Sequence, residues 1–154
     1  MAGERFDSCD ASILVASEVK PEDRDAKNER KVRILIIEDN ADLRFLLGID
    51  LSAAGYEVQV TEDGVAGARA LLEHPPDLIV SDINMPFLDG FQLLSLMRSD
   101  ADTAAIPVIL LSGRCDGDTM AKAVELGAAD FLIKPVTRED LITSIRSCLA
   151  RVAK

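Results

Sequence analysis

The sequence predicts an α/β fold: five parallel strands in one sheet, with helices on both faces. Three observations carry this. Five short apolar segments alternate with five segments of helical periodicity along residues 31–154, the pattern of a sheet joined by right-handed crossovers. The first strand segment, Val32-Arg33-Ile34-Leu35-Ile36-Ile37, is short, β-branched and nearly continuously apolar, as strands covered on both faces are. The second, Tyr56-Glu57-Val58-Gln59-Val60, alternates strictly, so one of its faces is wet and it belongs at a sheet edge.

The elements follow in order. After strand 1 comes Glu38-Asp39-Asn40, with Asn40 suited to cap a helix. That helix has Leu43, Leu46, Leu47, Leu51 and Ala54 at helical spacing, and Gly55 is placed to end it. After strand 2, a helix over about 64–73 turns Val65, Ala68, Leu71 and Leu72 inward until His74-Pro75-Pro76 breaks it. His74, the only histidine, reads as a turn residue. Residues 77–82 form the third strand. Asp89-Gly90 opens a helix with Phe91, Leu94 and Met97 on one face. Residues 107–112 form the fourth strand. Asp116-Gly117-Asp118 opens a helix that carries Ala121, Val124 and Leu126 and stops at Gly127. Residues 129–135 form the fifth strand and its exit. Thr137-Arg138-Glu139-Asp140 has the form of a capping box, and the last helix buries Leu141, Ile142, Ile145 and Leu149. An edge position for strand 2 selects the flavodoxin-like order 2-1-3-4-5, with its switch point between strands 1 and 3, where ligands bind beyond the carboxyl ends.

Residues 1–30 differ from the rest. They hold one apolar patch, Ile13-Leu14-Val15-Ala16, and then mixed charge without a period, which reads as a disordered or weakly helical tail: an uninvolved extension in preference to a docking segment built on that patch. The formal net charge of -10 argues against direct contact with nucleic acid or an anionic membrane. The longest apolar runs are too short to span a bilayer, and the acidic start is unlike a signal peptide. The three cysteines, Cys9, Cys115 and Cys148, are odd in number and widely spaced, consistent with a reducing cytoplasm.

The residues leaving the carboxyl ends of strands 1, 3, 4 and 5 are Glu38-Asp39, Asp82, Ser112 and Lys134. Strand order puts three carboxylates in one crevice, where each raises the pKa of the others unless a cation neutralises them. Oxygen ligands without His or Cys select Mg²⁺, with Mn²⁺ as the alternative. These parts suit phosphoryl transfer, which needs an in-line nucleophile and positive charge around the equatorial oxygens. Asp82 is the expected nucleophile. Asp39 holds the metal directly, with Glu38 beside it or acting through water. Ser112 and Lys134 bind phosphoryl oxygens, and Gly113 leaves them room. Taken singly, each residue has an ordinary explanation as a turn former, cap or solvated side chain. Their coincidence at four strand ends is the signal.

These residues resemble the receiver domain of two-component response regulators. The resemblance is carried by Ile36-Ile37-Glu38-Asp39-Asn40, Ser81-Asp82-Ile83-Asn84-Met85-Pro86, Leu111-Ser112-Gly113 and Gly127-Ala128-Ala129-Asp130-Phe131-Leu132-Ile133-Lys134-Pro135. It runs from about Lys31 to the C-terminus. It implies a sensor histidine kinase or a histidine phosphotransfer protein as phosphodonor to Asp82. It implies Mg²⁺ on Asp39, Asp82 and the backbone carbonyl of Asn84, and a cis bond before Pro135. It further implies a switch in which Ser112 moves toward the phosphoryl group and Phe131 fills the vacated space, altering the face of helix 4, strand 5 and helix 5. The side chains of Asn84 and Arg114, at the pocket mouth, would tune hydrolysis.

The last helix runs almost to Lys154, so the expectation is a stand-alone module, a monomer or a phosphorylation-dependent dimer, catalysing only its own phosphorylation and dephosphorylation. The alternatives are a phosphorelay intermediate or phosphate sink, or a phosphate-independent interaction module. A flavin carrier of the same fold is disfavoured because Glu38-Asp39-Asn40-Ala41-Asp42 would repel its phosphate. A turnover phosphatase lacks an evident second acid–base group.

Overall fold

A computed structural model of the chain describes residues 30–114 and 116–153. Ten elements alternate: β1 (Arg33–Ile37), α1 (Ala41–Ala53), β2 (Glu57–Thr61), α2 (Gly64–Glu73), β3 (Leu78–Asp82), α3 (Gly90–Arg98), β4 (Val108–Ser112), α4 (Gly117–Glu125), β5 (Asp130–Ile133) and α5 (Arg138–Ala153). The strands pair in parallel in the order β2-β1-β3-β4-β5, the flavodoxin-like arrangement that the sequence predicts. Residues 1–30, expected as a tail with Ile13–Ala16 as its patch, lie outside the described residues except for Arg30. Among the described residues no helix is long and apolar enough to cross a membrane.

The two-residue period of the strands builds two cores, one on each face of the sheet. Leu35, Ile37, Ile79 and Leu110 point to one side and pack with Leu71 of α2, Leu93, Leu94 and Met97 of α3, and Ala123 of α4. Ile34, Ile36, Leu78, Val80, Ile109 and Leu111 point to the other and pack with Leu47 and Leu51 of α1 and Leu141, Ile145 and Cys148 of α5. Every residue of β3 and β4 is buried, whereas β2 is half-buried only at Val58 and Thr61 and exposed at Glu57, Gln59 and Val60, as an edge strand can be. Full burial of a Leu or Ile side chain stabilises by about 1.5–3 kcal/mol, so these layers fix the strand ends that carry the polar residues.

On three helices part of the expected face is exposed, although Leu43, Leu47 and Leu51 of α1, Ala68 and Leu71 of α2, and Leu126 after α4 pack as expected. On α2 the buried positions are Gly64, Gly67, Ala70 and Leu71, while Val65 is exposed and Leu72 is 71% exposed. The helix lies so close to the sheet at its N-terminal half that a Cβ at Gly67 would strike Ile37, so that position takes only glycine without a shift. On α1, Leu46 faces solvent because the helix carries more apolar residues than its contact stripe can cover. On α4, Ala123 is buried, whereas Ala121 is exposed and Val124 is 77% exposed.

The helix starts follow cap chemistry. Asn40, Asp63, Asp89 and Asp116 each accept a hydrogen bond from a backbone N–H in the first turn, and Thr137 Oγ1 accepts from Asp140 N at 3.0 Å. Both halves of a reciprocal box are made by Asp89 and Gln92 at α3. His74 is the residue on which α2 ends, its N–H donating to Ala70 O at 2.9 Å.

Candidate functional site

β1 ends against the β2 terminus, where Glu38 N donates to Thr61 O at 3.1 Å. This holds Glu38 beneath the surface with no exposed area. Asp39 stays exposed one residue on. β3 delivers Asp82, only 5% exposed, next to β1. Its backbone is fixed on both sides: Ser81 Oγ donates to Asp82 O at 2.8 Å, and Ile83 N donates to Leu111 O at 3.1 Å. β4 brings Ser112, 1% exposed, and β5 leads into Lys134, whose N–H donates to Ser112 O at 2.8 Å. The Lys134–Pro135 bond is cis.

The side chains converge. One carboxylate oxygen each from Glu38, Asp39 and Asp82 lie within 4.8 Å of one another. Lys134 Nζ lies 3.1 Å from Glu38 Oε1 and 3.3 Å from Asp82 Oδ2. Burial pushes the Glu38 carboxyl above its ordinary value; the Asn40 N–H opposes this and the Asp82 charge adds to it. Burial likewise raises the Asp82 carboxyl, against the pull of Lys134 and with the push of Asp39. Burial alone would lower the Lys134 ammonium, but the Glu38 hydrogen bond and the two carboxylate charges outweigh it and hold it above its ordinary value. One ammonium therefore faces more negative charge than it neutralises. Among the described residues, Glu38 Oε1 is the one buried side-chain oxygen without a hydrogen-bond donor, since its approach to Lys134 is a charge contact without hydrogen-bond alignment. An oxygen left in this state, beside two further carboxylates, fits a hard divalent cation.

Residues 34–146 match the response regulator receiver domain family. The chain belongs to this family. It is 37% identical over 119 residues to the DNA-binding dual master transcriptional regulator RpaA of Synechocystis sp., covering 77% of this chain and 49% of that protein. The chain thus spans about half the length of the curated relatives it matches. Among solved structures, the signal receiver domain of a signal transduction histidine kinase from Syntrophus aciditrophicus superposes with a TM-score of 0.74 at 33% identity, covering 80% of this chain and 93% of that one. A putative response regulator from Chloroflexus aurantiacus gives 0.76 at 28%, covering 79% and 100%. The protein is accordingly a receiver domain of two-component signal transduction.

Within this receiver domain the other expected site residues fall as follows. Asn84, Gly113 and Arg114 are exposed in the turns that leave β3 and β4. A Cβ added at Gly113 would meet no atom within 4 Å, so that turn is open. Phe131 is half-buried on β5, packed against the core layer of α2, α3 and α4. Two supporting residues escape a reading of the sequence. Arg44 Nη1 donates to Glu38 O at 2.8 Å and reaches Asp39 O at 3.5 Å, tying down the turn that carries both carboxylates. Its signal was a cation near the start of a helix, the end where the macrodipole favours anions. Ser81 had no signal, because a serine inside a strand is commonplace.

Proposed function

We propose that this receiver domain, residues 31–154, accepts a phosphoryl group on Asp82. The observation that carries the reading is the nearly buried Asp82 carboxylate held 3.3 Å from Lys134 Nζ, within one cluster with Glu38 and Asp39. Asp82 Oδ attacks phosphorus. A P–O bond forms as the P–N bond of a phosphohistidine donor breaks, and the electron pair leaves with the imidazole. The donor class is a sensor histidine kinase or a histidine phosphotransfer protein. Lys134 stays beside Asp82 and supplies one fixed positive charge to the transferred group. Ser112, whose oxygen accepts from Arg114 N at 3.0 Å, keeps its own proton free to donate to a phosphoryl oxygen. Mg²⁺ on Asp39, Asp82 and the Asn84 carbonyl, with Glu38 acting through water, would supply the remaining charge neutralisation; the orphaned Glu38 oxygen supports this donor set.

The output is exercised by protein contact rather than by direct contact of residues 31–154 with nucleic acid. Three apolar side chains stand open along α4 and the end of β5: Met120, Val124 and Ile133. They support a partner-binding or dimerising face there that responds to the movement of Ser112 and Phe131. The DNA binding in the name of RpaA is a property of a protein this chain matches over 49% of its length, and it is not carried over. The test is intact mass after incubation with acetyl phosphate, with and without Mg²⁺, for the wild type and Asp82→Asn. One phosphoryl mass that requires both Mg²⁺ and Asp82 is the expected result. Equal labelling of Asp82→Asn would overturn the assignment.

A further inference from the structure

Arg114 and Asp116 form a pair that the proposed transfer step does not use. Arg114 Nε lies 3.3 Å from Asp116 Oδ2. The other oxygen of the same carboxylate, Oδ1, accepts from Thr119 N at 2.8 Å and caps α4. The backbone N–H of Arg114 donates to Ser112 Oγ at 3.0 Å. One run of contacts therefore leads from the buried hydroxyl at the β4 edge, through Arg114, to the first turn of α4. The Arg114 and Asp116 side chains are 73% and 42% exposed, so the ion pair opens easily and salt screens it. The Thr119 N–H, aided by the Arg114 charge, holds the Asp116 carboxyl below its ordinary value, so it is ionised at neutral pH. A guanidinium on a flexible stem, two residues from Ser112, has two possible partners: this carboxylate, or the oxygens of an anion arriving at the strand ends.

We propose that Asp116 is a positioning residue that holds Arg114 back at the N-terminus of α4 and so limits how tightly the site takes up an anionic phosphodonor. The inference rests on the reading of Asp82 as phosphoacceptor. Neutralising residue 116 frees Arg114 to meet the donor's oxygens. Uptake then improves through binding and not through the transfer step, because Asp82 and Lys134 are untouched.

Asp116→Asn isolates the charge, since asparagine caps a helix as well as aspartate does. The rate of phosphoryl-mass formation is measured against acetyl phosphate concentration for wild type, Asp116→Asn, Arg114→Ala and the double variant. In Asp116→Asn the half-saturating concentration falls about 2- to 4-fold, the scale of one exposed ion pair, while the maximal rate is unchanged. In the Arg114→Ala background the same substitution changes it by less than about 1.5-fold, and salt at about 1 M removes the difference. Equal half-saturation in wild type and Asp116→Asn, or the same gain with and without Arg114, overturns the proposal. A lowered melting temperature with no change in half-saturation also overturns it, leaving Asp116 as a cap alone. Failure of the wild type to take up any phosphoryl mass sinks the Asp82 reading and this inference together. Labelling with an unmoved half-saturation sinks only the inference.

Discussion

Replacing Gly90 with alanine tests whether α3 clamps the backbone that carries Asp82. A Cβ at position 90 would lie 2.5 Å from the Asp82 carbonyl oxygen and 2.9 Å from Ile83 Cα. Both are backbone atoms, so no rotamer change relieves the clash. The local hydrogen bond from Gly90 N to Ile83 O, 2.8 Å, also opposes separation. Overpacking of this kind costs about 1–3 kcal/mol. Alanine in place of glycine in a helix returns about 0.5–1 kcal/mol. The net expectation is a loss of about 1–2 kcal/mol, or roughly 4–8 °C in melting temperature for a domain of this size. The strain falls on Asp82 itself, so Mg²⁺-dependent labelling by acetyl phosphate slows by about 10-fold, less than the roughly 100-fold that a 1 Å misplacement costs. Gly113→Ala is the control, because its Cβ meets no atom within 4 Å; its melting temperature stays within about 2 °C of wild type, a surface-substitution effect. Circular dichroism melts and intact mass read both quantities. A Gly90→Ala protein as stable as wild type would refute the packing argument. A destabilised one that labels at the wild-type rate would refute the link to Asp82.

Two further outcomes follow from the buried charges and the buried thiol. Lys134→Met leaves Glu38 and Asp82 buried without their cation and costs about 2 kcal/mol at pH 7, below the usual range for a broken buried pair because Lys134 is a quarter exposed. Much of that loss returns when Asp82→Asn is added; urea melts showing simple additivity would count against the shared cluster. Cys148, 1% exposed, has its thiol pushed above its ordinary value of 9.0, chiefly by burial. The unfolded chain loses this proton first, so the stability Cys148 contributes is complete below about pH 9 and falls as pH rises beyond it. The difference in urea midpoint between wild type and Cys148→Ala therefore narrows from pH 8 to pH 10, and a constant difference would contradict the shift.

The strands and their order were legible in the sequence because sheet burial writes itself directly into residue type. Val32–Ile37 is apolar but for Arg33 because both faces are covered, and Tyr56–Val60 alternates because β2 is an edge. Helix faces were less legible. A helix with apolar residues on several sides does not announce which stripe packs, and Val65, Leu72 and Leu46 went outward while Gly64, Gly67 and Ala70 went in. Closeness of approach decided this, and closeness is a property of two elements together.

The sequence by itself also determined which chemical groups leave the carboxyl ends of the strands: Glu38, Asp39, Asp82, Ser112 and Lys134 each end an apolar run, and strand direction sends them all to one side. Only the tertiary structure decided their balance. It buried Glu38 completely while leaving Asp39 exposed, set one ammonium between two buried carboxylates, and left Glu38 Oε1 without a donor. It also recruited Arg44 and Ser81, which hold backbone carbonyls rather than the clustered carboxylates. The physical reason is that residue type and spacing fix a group's chemistry and its side of the sheet, whereas desolvation and hydrogen-bond alignment depend on neighbours distant in the chain and accurate to a few tenths of an ångström.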